Sequence, residues 1–199
     1  MLISTRFGNT AQIHQVKVPG GARTQLTSFN EAIGGASFEP VQGRYFVFAK
    51  DVGGNEFAQL FRYDVADGRV TLLTDGGRSQ NGGGAWSTKG DRLAYGSTRR
   101  NGADRDLYVM NPADPKTDKL VMQATGGGWQ ALDWSPDDSR LLVIEYISIT
   151  KSTLWLVDAA NGQKSSLTNP AEANADFQFY ATVMFVRRYL LDQEPAGSR

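Results

Sequence analysis

The sequence Trp-Ser-Pro-Asp-Asp-Ser-Arg-Leu-Leu-Val at positions 134–143 decides the fold prediction, because copies of it recur along the chain at a fixed interval. Trp-Ser-Thr-Lys-Gly-Asp-Arg-Leu-Ala-Tyr stands forty-eight residues earlier at 86–95, and Phe-Glu-Pro-Val-Gln-Gly-Arg-Tyr-Phe-Val stands forty-eight before that at 38–47. Each copy consists of an aromatic residue, a short polar turn, an arginine and an apolar segment. In this alignment Arg44 corresponds to Arg92, and Arg92 to Arg140.

A second ladder of apolar residues supports the same repeat. Ile13, Leu60, Leu107 and Leu154 lie forty-seven residues apart, and each opens a short segment in which apolar and polar residues alternate. Two separate ladders with nearly the same period are the signature of a repeat architecture.

Each repeat unit reads as four short strands, which in the last unit are 128–134, 140–147, 154–158 and 163–168. The second strand is apolar throughout, as expected of a strand covered on both faces, and the third alternates, as expected of a half-buried one. The middle unit departs from the pattern at 111–119, where we predict a longer loop containing two prolines. Four-stranded units repeated every 40 to 50 residues or so are typical of β-propeller blades, so we predict an all-β fold.

We expect residues 1–199 to form a single propeller domain, or a propeller fragment, of about four blades: three complete units, one partial unit and a degraded tail. The units are 2–30, 34–80, 82–127 and 128–170, and the tail is 171–199. The first unit lacks its first strand, and the segment 177–186 is rich in β-forming residues. We therefore predict that this segment pairs with the sheet of residues 2–27 and closes a ring. The rival expectation is an open arc whose sheet edges pair between chains into a homo-oligomer.

The composition argues against several classes of function. The chain has 21 basic and 21 acidic residues, so the excess of positive charge that marks binders of nucleic acid or of anionic membranes is missing. Because it has no cysteine, it can form no disulfide, thiolate zinc site or cysteine nucleophile. We recognise no signal peptide and no transmembrane segment, which favours a soluble protein of the periplasm or the cytoplasm.

The repeat resembles a known group of WD40-like repeats. The segments Trp-Ser-Pro-Asp-Asp-Ser-Arg-Leu at 134–141 and Asp-Arg-Asp-Leu-Tyr-Val-Met-Asn at 104–111 are similar to the PD40 repeat, and the similarity covers residues 2 to about 170. PD40 repeats are found in the TolB family and in the N-terminal propellers of prolyl oligopeptidase-family (S9) serine peptidases. For the peptidases the resemblance implies that a hydrolase domain follows the propeller and holds the catalytic triad.

We predict no catalytic residue in this chain. The closest match to the Gly-x-Ser-x-Gly nucleophile motif is Gly-Arg-Ser-Gln-Asn at 77–81, which ends in Asn81 instead of glycine and lies in a loop between blades. The only histidine, His14, occupies a strand position that carries an aromatic residue in each of the other units. We interpret it as a ring that fills this position, partly buried, and not as a base or a metal ligand.

The acidic pairs also have a structural interpretation, and we predict neither a metal site nor a cofactor. Asp137 and Asp138 lie in the polar turn of the repeat, where short acidic side chains hydrogen-bond the backbone. Asp104 and Asp106 point to one side of an extended segment and could share a cation. A polar position of the repeat without a bound ion is the favoured interpretation.

The four tryptophans divide into two groups. Trp86, Trp134 and Trp155 are predicted to pack between blades. Trp129, which follows a run of three glycines, is the one candidate for a surface contact.

Three hypotheses for function follow. The first is a non-catalytic propeller that binds or gates a protein or peptide ligand, resembling the propeller of an S9 peptidase. The second is a TolB-like scaffold that works through protein contacts. The third is a small propeller hydrolase, such as a metal-dependent lactonase, which would need several carboxylates facing the central channel.

Overall fold

The computed structural model describes residues 1–149 and 151–168, and within them every regular element is a β-strand. Fifteen strands form four antiparallel sheets, each built from strands that follow one another along the chain. Blade one contains β1 (Leu2–Arg6), β2 (Ala11–Val16) and β3 (Arg23–Gln25). Blade two contains β4 (Ala36–Phe38), β5 (Tyr45–Lys50), β6 (Gln59–Asp64) and β7 (Val70–Leu72). Blade three contains β8 (Asn81–Trp86), β9 (Leu93–Ser97), β10 (Asp106–Asn111) and β11 (Asp114–Met122). Blade four contains β12 (Trp129–Trp134), β13 (Arg140–Ser148), β14 (Lys151–Asp158) and β15 (Lys164–Ser166).

The second strand of a blade is apolar on both faces because it packs against two neighbouring blades. In blade three, Leu93 and Tyr95 belong to a buried cluster that includes Tyr45 of blade two. Ala94, between them, belongs to a cluster that includes Leu141 of blade four. Successive side chains of a strand point to opposite faces, so one strand serves two interfaces. Sheets stacked face to face in this way confirm the predicted all-β propeller class.

Blade two has one more residue in its first turn than blades three and four. Phe38 at the end of β4 pairs with Phe46, eight positions further along the chain. Trp86 at the end of β8 pairs with Leu93, seven positions further, and the corresponding pair of blade four has the same spacing.

This extra residue makes the predicted alignment of Arg44 with Arg92 wrong by one position within β5. Phe46, two residues after Arg44, packs with blade one, and Leu93, one residue after Arg92, packs with blade two. Each of them faces the preceding blade, so Phe46 and Leu93 are the equivalent residues. A shift of one position along a strand exchanges its two faces, which is why the error affects every residue of β5.

The middle unit also differs from prediction, because 111–119 is not a long loop. Asn111 pairs with Asp114, so the chain turns through only Pro112 and Ala113 before it enters β11, a strand of nine residues. The inserted residues lengthen this strand, and register shifts in its pairing with β10 absorb them. Pro115 is tolerated there because β11 is an edge strand and Pro115 falls in the register shift between the pairs Asn111–Asp114 and Val109–Lys119.

The tail lies outside the described residues, and closure of the ring by 177–186 stays a prediction. In the described ranges, β1 forms one edge of blade one and pairs with β2 alone. None of the described residues forms a helix that is long and apolar enough to span a membrane.

Candidate functional site

The blades have two ends that differ in how they use polar side chains. The turn end carries the turns between first and second strands, which in blades three and four are 87–92 and 135–139. The loop end carries the loops between second and third strands, such as 98–105 in blade three, together with the connections to the next blade. The β13–β14 hairpin of blade four also ends there.

At the turn end, Asp137 bonds within its own turn as predicted. Its Oδ1 accepts hydrogen bonds from the Ser135 hydroxyl at 2.6 Å and from the Ser139 hydroxyl at 2.8 Å. Because these donors favour the charged carboxylate, they lower the pKa of Asp137 from its ordinary value of 3.8 to about 2.

Asp138 instead caps the turn of the neighbouring blade, and the prediction for this residue needs that correction. Its side chain is buried, and its two carboxylate oxygens accept hydrogen bonds from the backbone N–H groups of Thr88 at 2.6 Å and Lys89 at 3.1 Å. Arg92 donates in return to the backbone carbonyl of Asp138 at 2.8 Å. This exchange ties the turns of blades three and four together, and it becomes visible only once the two blades are placed side by side.

At the loop end, Asp104 and Asp106 both form ion pairs with the guanidinium of Arg100. Arg100 Nε donates to Asp106 at 2.7 Å, and Nη2 donates to Asp104 at 3.0 Å. Asp106 is fully buried and also accepts the Ala124 N–H at 2.9 Å. The pKa of Asp104 is lowered, chiefly because its carboxylate accepts the backbone N–H of Gly126. The cluster therefore fastens the connection between blades three and four.

In blade two the equivalent of this position is Gln59, and it fastens the connection to blade three. Gln59 Oε1 accepts hydrogen bonds from the Thr74 hydroxyl at 2.6 Å and the Gly76 N–H at 3.0 Å. Its amide group donates to the carbonyls of Gly77 and Ser79. The favoured interpretation of Asp106 as a polar position of the repeat agrees with this geometry.

His14 and Ser79, the two residues closest in type to a catalytic pair, are both buried in structural contacts. The His14 ring is 2% exposed, lies 5.9 Å from the ring of Phe7, and donates through Nδ1 to the Gln12 carbonyl at 3.1 Å. The Ser79 hydroxyl donates to Asp75 at 2.6 Å and accepts from the Asn81 amide at 3.0 Å. Each group already has a partner that keeps it in place.

The three tryptophans predicted to pack between blades do so. The indole N–H of Trp86 donates to Ser37 of blade two at 2.9 Å. The indole N–H of Trp134 donates to the Ala85 carbonyl of blade three at 2.8 Å, and Arg92 covers its ring. Trp155 is partly buried and packs against the same core between blades three and four.

The prediction that Trp129 makes a surface contact is wrong. Its ring is 3% exposed, and its indole N–H donates to the Thr125 carbonyl at 3.0 Å. The side chain lies in the core between blades three and four and contacts Trp155, with Lys164 over both rings. The glycines that precede it, and not the Trp129 ring, form the surface next to this core. The prediction therefore placed the exposed position a few residues too far along the chain.

A groove at the loop end lies between blades three and four and has a volume of about 390 Å³. It is lined by Gly82, Gly83, Arg105, Gly127, Gly128, Trp129, Gln130 and Tyr146. Half of these residues are glycines, and at Gly83 of blade three an added Cβ would lie 3.1 Å from Cγ of Gln130 in blade four. The groove therefore depends on glycine where the two blades approach each other.

Arg105 is the one charged residue of the groove lining, and prediction from sequence missed it. The stem of the side chain lies over Gly96 of β9, where an added Cβ would be 2.8 Å from Arg105 Cγ. Nη2 donates to the amide oxygen of Gln80 at 3.3 Å. The signal that could have revealed this residue is its departure from the repeat, since the positions forty-seven residues away on either side carry Ala58 and Ser152.

The β13–β14 hairpin extends beside the groove and exposes apolar side chains. Tyr146 is 49% exposed, Ile147 50% and Ile149 73%. Tyr146 and Ile147 lie near the tip of the hairpin, where a register shift interrupts the pairing of β13 with β14. These uncovered apolar side chains make the hairpin a candidate contact site.

No cluster of three or more histidine, aspartate or glutamate side chains suited to hold a metal ion occurs in residues 1–149 and 151–168. The carboxylates that a channel-bound cation would need are therefore not assembled in that part of the chain. Among the described residues, the buried carboxylates of Glu39, Asp106 and Asp138 accept hydrogen bonds from arginine and backbone donors.

No protein-family model and no curated protein matches the chain. Solved structures do match it. TolB from Acinetobacter baumannii has a TM-score of 0.57 at 20% identity, over 79% of this chain and 38% of that one. An oligogalacturonate lyase in complex with manganese has a TM-score of 0.64 at 14% identity, over 80% and 42%. A prolyl endopeptidase has a TM-score of 0.61 at 15% identity, over 80% and 26%.

These similarities identify the class of protein as a β-propeller, the fold of these structures. At 20% identity or less they show the fold alone. The chain spans less than half the length of each of these proteins.

Proposed function

We propose that the chain is a non-catalytic propeller module that binds a protein or peptide at its loop end. The observation that carries the proposal is the exposed apolar hairpin, where Ile147 and Ile149 are at least half exposed next to an open groove. Isolated apolar side chains are common on protein surfaces, but adjacent ones on a projecting hairpin are typical of a contact surface. Interfaces are enriched in aromatic residues and arginine, and Tyr146 and Arg105 supply both here.

The non-catalytic part of the proposal is supported by the surroundings of the polar groups. His14 and Ser79 are buried in hydrogen bonds within their own blades or connections, as described above. A serine hydrolase needs a histidine base within hydrogen-bond reach of its serine, and a third group that orients the base. Since His14 is the only histidine of the chain, a triad inside it would have to use this buried ring.

Two versions of the binding role are distinguished by what lies next to the propeller. In the gating version, which resembles the S9 peptidases, the propeller controls access to a hydrolase domain. In the scaffold version, which resembles TolB, the propeller works through protein contacts alone. A Gly-x-Ser-x-Gly motif with a later histidine, downstream in the same reading frame, would favour gating, and a frame without them would favour the scaffold.

Site-specific photo-crosslinking tests the binding surface. We expect p-benzoylphenylalanine in place of Ile149 to crosslink a specific partner in cells. The matched control places it at Val41, which is 61% exposed but lies at the turn end. Equal crosslinking from both positions, or from neither, would contradict the assignment of binding to the loop end.

Labelling with a fluorophosphonate probe tests the absence of serine-hydrolase activity. The chain should show no stoichiometric labelling, because the described serines have no histidine base positioned to activate them. Labelling that disappears on mutation of one serine would overturn the non-catalytic proposal.

A further inference from the structure

The groove between blades three and four contains an arginine whose placement alters the core of its blade. Gly96 of β9 pairs with Leu107, a residue of the apolar ladder. Ala49 of blade two and Ile144 of blade four pair in the same way with Leu60 and Leu154, so the three positions correspond. In blade three this buried position has no side chain, and the stem of Arg105 lies across it. Glycine weakens a strand interior, and it is typical of a place where another group approaches the backbone closely. At this position blade three therefore has the stem of Arg105 in place of a core side chain of its second strand.

The guanidinium of Arg105 lies at this site without a carboxylate. In residues 1–149 and 151–168 no aspartate or glutamate oxygen is within ion-pair distance of it, and its recorded partner is the neutral amide oxygen of Gln80 at 3.3 Å. Arg100, five residues earlier, binds both Asp104 and Asp106. A half-buried guanidinium with free donors favours an anion with two oxygens, which it binds in a bidentate manner.

We propose that this groove binds the carboxylate of an aspartate or glutamate side chain in an extended peptide of a partner protein. The inference rests on the proposed function and adds the chemistry of the ligand. Arg105 pairs with the carboxylate, and apolar residues that flank the acid contact the hairpin at Tyr146 and Ile147. The apolar surface of the hairpin continues past the groove to Ile149, so the occupant is a chain that runs on beyond its acidic residue.

The other anionic ligands fit these observations less well. Nucleic acid would require a basic surface, whereas the groove lining holds one arginine and the chain carries no net charge. A small free carboxylate would leave the exposed apolar hairpin unused. The volume of about 390 Å³ lies in the range of roughly 300–1,000 Å³ that is usual for binding clefts.

The test uses two pools of immobilised, C-terminally amidated heptapeptides. One pool carries a central glutamate flanked by positions randomised over Leu, Ile, Val, Phe and Tyr, and the other carries glutamine at the centre. We expect the protein to retain the glutamate pool about tenfold more tightly, which corresponds to one good charge-assisted contact. Equal retention of the two pools would overturn the proposal.

Three variants assign the preference to the arginine. Arg105→Ala should abolish the preference for glutamate, and Gly96→Ala should weaken it because the new Cβ displaces the stem of Arg105. Arg78→Ala is the matched control, since Arg78 is an exposed arginine of the loop end that lies over Phe57, and it should keep the preference. A preference that survives in Arg105→Ala protein of unchanged Tm would contradict the assignment.

A third pool, with central glutamine and a free C-terminal carboxylate, separates the two sources of a peptide carboxylate. Retention of this pool in an Arg105-dependent manner, without retention of the amidated glutamate pool, would overturn the side-chain assignment in favour of a chain terminus. The peptide-retention assay is independent of the photo-crosslinking experiment. Crosslinking from position 149 without any glutamate preference would leave the proposed function standing and remove only this inference.

Discussion

The turn end and the loop end of the propeller differ in how completely their arginine and apolar side chains are covered. At the turn end, Asp138 and Arg92 hydrogen-bond from one blade to the next, and Trp134 is sealed between blades. At the loop end, Arg105 has no acidic partner within the described residues, and Ile149 is 73% exposed. Both ends hold neighbouring blades together, because Asp106 and Gln59 fasten the connections at the loop end as well. The loop end differs in also leaving a guanidinium and apolar side chains uncovered, as the proposed binding role requires of loops carried on a rigid scaffold.

The largest effect should come from removing an aromatic residue at the blade interface. Trp134→Ala is expected to lower the free energy of unfolding by about 3–5 kcal/mol, because it leaves a cavity between blades three and four. Urea denaturation measures this loss. The matched control is Tyr146→Ala at the loop end, which should change the value by less than about 0.5 kcal/mol. An unchanged midpoint for Trp134→Ala would refute the placement of this residue between blades.

A smaller effect is expected when the bond between the turns is cut. Asp138→Asn should cost about 1.5–3 kcal/mol, as is usual for hydrogen bonds to a charged group, since two backbone donors of blade three lose their charged acceptor. Asn keeps the size of the side chain and tolerates the positive φ of 59° at this position. If the neighbouring variant Asp137→Asn proved as destabilising at neutral pH, the bridge between blades would not be the cause.

Two arginines of the loop end should differ in their contribution to thermal stability. Arg100→Met should lower Tm, because the fully buried carboxylate of Asp106 would lose its counter-ion. Arg105→Met should leave Tm nearly unchanged, because no described carboxylate depends on it. Differential scanning calorimetry of the two variants checks this, and equal losses of Tm would show that Arg105 is a structural residue after all.

The smallest effect concerns acid stability at the turn end. Hydrogen bonds from Ser135 and Ser139 hold the pKa of Asp137 near 2, against an ordinary value of 3.8. Because the pKa is lower in the folded state, the carboxylate stabilises the fold above about pH 4, and this contribution is lost as the pH falls towards 2. Asp137→Asn should therefore be slightly less stable than the parent at pH 6, with a difference that vanishes near pH 2. Urea midpoints across this range measure it, and a difference independent of pH would assign the effect to packing.

The fold could be predicted from sequence because its signal is carried by spacing. The ladder through Leu107 and Leu154 identifies the unit, and apolar second strands identify sheets covered on both sides. What spacing could not show is where an inserted residue is absorbed. The additional residue of the first turn of blade two lies before Tyr45, so an alignment anchored on Arg44 matches the residues of β5 with the wrong residues of β9.

The candidate site was less accessible to prediction for a different physical reason. Trp129 was expected at the surface because glycines precede it, but glycine next to a large ring equally allows two blades to approach each other. The role of Asp138 depends on backbone N–H groups about fifty residues away, which no local motif encodes. Arg105 was detectable only as an exception to the repeat, and exceptions become informative once the regular positions are known.

Within the described residues, every hydrogen-bonded ladder joins strands that are consecutive in the chain, and contact between sheets consists of side-chain packing and single hydrogen bonds. A unit of about forty-seven residues can therefore be duplicated or deleted as a whole, because gaining or losing one copy between two others breaks no ladder. What limits such an event is whether the two newly apposed faces match in shape. Phe46 packs against blade one despite the extra residue in the turn that precedes it, which shows how this condition is met. The turn absorbs the change, and the apolar face of the strand keeps its direction. Propellers of this kind should thus diversify through the lengths of their turns and loops while the packing between their sheets stays the same.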